Sequence, residues 1–69
     1  MQTYTPADIC EEAHARLLKD PEILAGRRHS YYSPHDEEIR YTNLGQKIFN
    51  YYYNEVENEL IKKGYKQEN

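Results

Sequence analysis

Tryptophan is absent from this 69-residue chain, and phenylalanine, cysteine and methionine occur once each. One cysteine, Cys10, cannot make an internal disulfide, and no set of Cys and His has the spacing of a zinc site. Neither of the usual staples of a small domain is therefore present. Leu, Ile, Val and Phe together number 12 of 69, about the level at which a chain struggles to fold alone. No run approaches the ~20 apolar residues of a membrane span, and MQTYTPADIC has no signal pattern. The net charge of −3 supplies no positive field for nonspecific nucleic-acid binding. A lone, reduced cysteine suits the cytoplasm.

What the chain does have is eight tyrosines. Tyr is large and amphipathic and loses little conformational freedom on docking, so it is enriched where proteins touch. Aromatic surface without a large aliphatic core describes a chain that buries itself against something.

Helix signals dominate. Thr5-Pro6-Ala7-Asp8 gives an N-cap, a proline at the first helical position and an acid at the third. Ile9, Cys10, Ala13 and Leu17 share one face, and Glu12 and Arg16 form an i,i+4 pair on another. A first helix is expected at about 6–19. Asp20-Pro21-Glu22 repeats the start signal, for a short turn of helix that Gly26 stops. The connector, about 20–33, ends in Arg27-Arg28-His29-Ser30-Tyr31-Tyr32.

Ser33-Pro34-His35-Asp36 is a third start signal, with Asp36 placed to pair with Arg40 one helical turn on. Tyr41, Leu44, Ile48, Phe49, Tyr52, Val56 and Leu60 then keep a helical period up to Gly64, a C′ glycine that brings Tyr65 back to Leu60. The expected fold is all-α: a helical hairpin with a long second helix at about 34–63 and a frayed polar tail at 66–69. Asn43-Leu44-Gly45 is the place where that helix could break, with Asn43 capping a shorter one.

A helix over 34–63 would be about 45 Å long, twice the first. Part of its stripe would stay uncovered in one copy, so Phe49, Tyr52, Val56 and Leu60 are the expected homodimer interface. Small residues at Gly45, Cys10 and Ala13 would let the two helices approach closely, with Cys10 a small buried hydrophobe.

For contact with another protein, the expected residues are Arg27, Arg28, Tyr31, Tyr32, Arg40 and Tyr51, because Arg and Tyr are the common anchors of interfaces. His29, His35, Asp36 and Glu38 fit no metal motif, and His14 on the polar side of helix one has no evident role. No Gly-rich phosphate loop or catalytic pair is legible, so neither a cofactor nor an enzymatic activity is expected.

The Thr5-Pro6-capped helix, the Arg27–Tyr32 connector and the long Tyr-rich helix expected after Ser33-Pro34 resemble small phage-encoded host-takeover proteins. Nearest in size and layout are the anti-quorum-sensing proteins of Mu-like Pseudomonas phages. That resemblance implies a helical homodimer in the cytoplasm of an infected bacterium. It would bind a LuxR-type quorum-sensing regulator, blocking its DNA binding, and the pilus-assembly ATPase as a second target. A small transcription factor or DNA-binding accessory protein, and an antitoxin-like or structural subunit of a fixed complex, are the alternative expectations.

Overall fold

A computed structural model describes residues 2–68. The chain is 55% helical and carries two small sheets, so it is a mixed α and β fold and not all-α. In order, the elements are β1 (Thr3–Tyr4), α1 (Pro6–Leu18), α2 (Pro21–Leu24), β2 (Ser30–Ser33), β3 (Glu38–Tyr41), α3 (Asn43–Lys62) and β4 (Lys66–Gln67).

α1 starts where its cap signal stands. Asp8 N–H donates to Thr5 Oγ1 and Thr5 N–H donates to the Asp8 carboxylate, a reciprocal pair that satisfies two orphan donors. Asp20 caps α2 from one side only, its carboxylate accepting from Glu22 N–H. At the end of α3, Gly64 takes φ 89° and its N–H reaches Ile61 O, while Tyr65 N–H reaches Leu60 O. These two bonds make the Schellman ending that only glycine enters without strain.

The expected long helix at 34–63 is where the sequence reading fails. Ser33-Pro34-His35-Asp36 starts a β-turn rather than a helix, and Glu37 closes it at φ 54°. Ser, Pro and Asp favour both a helix start and a tight turn, so the signal is ambiguous on its own. The aromatic and β-branched residues on either side resolve it. Tyr31, Tyr32, Ile39 and Tyr41 prefer strands, and β2 and β3 pair antiparallel with Tyr31 opposite Arg40 and Tyr32 opposite Ile39. Asp36 does pair with Arg40, but across the hairpin turn and not along a helix. The connector 20–33 is shortened accordingly, since its last four residues are β2.

α3 begins at the break point, capped by Thr42 and not Asn43. Thr42 also ties the hairpin base to the helix: its Oγ1 accepts from Gly45 N–H and donates to Arg28 O at 2.8 Å, and its N–H donates to His29 O at 3.0 Å. A β-carbon on Gly45 would strike the His29 carbonyl, so this glycine admits a loop backbone. It does not serve close approach of α1, as the sequence suggested. The tail at 66–67 is not frayed either: β4 pairs parallel with β1, Thr3 opposite Lys66.

The core is the seam between α1 and α3. Ile9, Ala13 and Leu17 from α1 and Ile48 and Val56 from α3 are buried, with Tyr4 sealing one end. Cys10 lies beside this stripe and is exposed. The principal dimensions are 43 × 28 × 14 Å. The smallest is little more than one helix diameter, so the elements lie side by side in one layer.

Candidate protein-binding face

The seam has two flanks of different chemistry. On one, Arg16 reaches across from α1 and binds Glu12, Glu55 and Glu59, the last through both oxygens at 2.8 and 2.9 Å. Hydrogen bonding to Arg16 lowers the Glu59 carboxyl and holds the guanidinium charged. Further along, Tyr52 Oη donates to Asp20 at 2.6 Å, and this bond raises the Tyr52 hydroxyl to about 12. Asp20 thus caps α2 with one oxygen and anchors α3 with the other.

The other flank is aromatic. The rings of His29, His14, Tyr41, Phe49 and Tyr53 follow one another with centroids 5.2–6.3 Å apart. Burial raises the hydroxyls of Tyr41 and Tyr53. His14 Nδ1 lies 2.7 Å from Tyr41 Oη, which gives His14 a role the sequence did not reveal. It fastens α1 to the hairpin. A hollow of about 420 Å³ opens here, lined by His14, His29, Ser30, Ile39, Arg40 and Tyr41.

The hairpin projects from this base. Tyr31, Tyr32 and Ile39 are exposed, Ile39 at 70%. Cross-strand partners share a face, so Tyr31 and Arg40 stand on one side and Tyr32 and Ile39 on the other. Arg27 and Arg28 are exposed in the loop that leads into β2. Of the six residues expected to meet a partner, the fold therefore places Tyr31 beside Arg40 and turns Tyr32 away from them. Tyr51 lies on α3 next to Tyr52, ring centroids 5.1 Å apart, and is exposed. Sequence reasoning missed Ile39, whose exposure follows from the hairpin that it did not foresee.

The residues expected at a homodimer interface are spread differently. Val56 is buried within the protomer against Tyr4 and Ile9, with Leu60 packed on that cluster. Phe49 stacks between Tyr41 and Tyr53, and Tyr52 is held by Asp20. α1, β1 and the hairpin base bury Val56 and leave Phe49, Tyr52 and Leu60 half-buried.

Among the described residues, no group of three or more His, Cys, Asp or Glu side chains is placed to hold a metal ion. No helix among them is long and apolar enough to cross a membrane. Comparison with protein-family models, with curated proteins and with solved structures returned no match. The long helix after Ser33-Pro34, one of the three features behind the resemblance to phage proteins, is replaced by a hairpin and a shorter helix.

Proposed function

We propose that this chain is a non-enzymatic module that binds another protein through its hairpin, with Tyr31 and Arg40 as the central anchors. The observation that supports it is the hairpin itself, which gathers Tyr31, Tyr32 and Ile39, three of the seven exposed large hydrophobic side chains among the described residues, on one small element. The area points the same way. A folded chain of 8.3 kDa exposes about 4,600 Å². This one exposes 5346 Å². The surplus follows from the one-layer shape, 14 Å in its smallest dimension, which leaves the hairpin standing in solvent.

The resemblance supplies the first partners to try, a LuxR-type regulator and the pilus-assembly ATPase in the cytoplasm of an infected bacterium. Purified protein is titrated against each, and against duplex DNA at two salt concentrations. Saturable binding to a protein that weakens at least tenfold in the Tyr31→Ala, Tyr32→Ala double variant supports the reading. Parental affinity in the double variant removes the hairpin from the site. Binding to DNA alone, falling steeply with salt, overturns the reading in favour of a nucleic-acid accessory protein.

A further inference from the structure

We propose that the free edge of β3 pairs antiparallel with the β3 of a second copy, with Ile39 on the twofold axis. Among the described residues each sheet has two strands, so β3 carries a ladder on one side only. Thr42 N–H bonds His29 O at the base of the hairpin. Ladder bonds alternate along antiparallel strands, so they recur at Tyr31–Arg40 and Ser33–Glu38. The N–H and C=O of Ile39 and Tyr41 consequently point outward, unpaired by any strand. Two copies of Ile39 set opposite each other exchange both bonds.

The side chains fix the register. With Ile39 opposite Ile39, Glu38 of each copy faces Arg40 of the other. That position is a non-hydrogen-bonded pair, where side chains come closest. Sliding the strands to set Arg40 on Arg40, or Glu38 on Glu38, opposes like charges. The sequence Glu38-Ile39-Arg40 is therefore complementary to its own antiparallel copy, as a twofold interface requires. Within the protomer Arg40 makes its contacts to Asp36 and Glu38 through Nη2 only, and the Glu38 contact is long at 3.7 Å. The outer edge of β2, Ser30-Tyr31-Tyr32-Ser33, has no charge with which to select a register.

Pairing gives a four-stranded sheet in place of two lone hairpins, which are marginal structures in water. One face gains a row of Tyr32, Ile39, Ile39 and Tyr32. The other sets two Glu38–Arg40 pairs between the two Tyr31 rings. The inference does not depend on a protein partner, since it concerns the chain alone.

Sedimentation equilibrium at low ionic strength tests it with two charge reversals, helicity being followed by circular dichroism. Glu38→Arg has only cations at the pair, and Arg40→Glu only anions. The parent is expected to dimerise, and each variant alone to show a dissociation constant raised about tenfold. An equimolar mixture of the two variants restores both pairs and is expected to recover parental dimerisation. Recovery in the mixture cannot come from unfolded chains. A parent that stays monomeric over the whole concentration series overturns the proposal. So do single variants that dimerise like the parent, or a mixture that remains monomeric.

Discussion

The carbonyl of His29 occupies the space that a side chain on Gly45 would need. A helix can receive a loop backbone this closely only at a residue without a β-carbon. The contact sets the angle at which the hairpin leaves α3.

Gly45→Ala tests this. Alanine is the better helix former by about 1 kcal/mol in an open helix. Here it forces backbone to move, which costs about 1–3 kcal/mol. A net loss of stability in urea titration is expected, and a gain would show that the loop yields freely.

Arg16 gathers three carboxylates that would otherwise repel one another across the seam. Arg16→Met keeps the apolar stem and removes the charge. The expected cost is about 1 kcal/mol, since the pairs are partly solvated, and added salt should shrink it. The pH dependence has a definite sign. The folded Glu59 carboxyl lies below its ordinary 4.5, so its contribution is present above that value and disappears as pH falls through the folded one. Glu59→Gln should flatten the acid limb of the stability curve.

Tyr52 gives the opposite limb. Its hydroxyl is raised to about 12 from 10.0 by the bond to Asp20. Stability from this bond is full below pH 10 and is lost as pH rises through 12. Tyr52→Phe should lose about 1 kcal/mol at neutral pH and lose less further stability between those values than the parent does. Equal alkaline loss in both proteins would place the titrating group elsewhere.

Tyr31 and Tyr32 are exposed but each has a cross-strand partner, so replacing both with Ala should cost no more than about 2 kcal/mol in thermal unfolding. A larger loss would mean that they hold the hairpin together, which would compromise them as reporters of partner binding.

The starts of α1 and α2 and the end of α3 were legible in the sequence because capping is local. Thr5 with Asp8, Asp20 before Pro21, and Gly64 with Tyr65 each act within a few residues of themselves. The hairpin was not legible, because Ser33-Pro34-His35-Asp36 suits a turn and a helix start equally, and the strands on either side decide between them. A periodic stripe that crosses Thr42 hid the boundary: on one continuous helix Tyr41 and Phe49 would stand two turns apart, and they stack because Tyr41 lies on a strand. The pairing of Tyr41 with His14, and of β1 with β4, joins residues far apart in the chain, and local pattern has no access to such contacts. At the candidate site, the residue types were readable and their grouping was not. Tyr31 and Arg40 became neighbours only through the register of the hairpin.

The parallel pairing of Thr3 with Lys66 sets the two ends of the described chain on neighbouring strands, about 4.8 Å apart. Because the two strands run parallel, polypeptide that precedes Thr3 and polypeptide that follows Gln67 leave this pair in opposite directions from closely spaced points. A short bridge joining the ends would allow the backbone to be reopened elsewhere, and a circularly permuted chain cut in the turn between β2 and β3 would keep every helix intact.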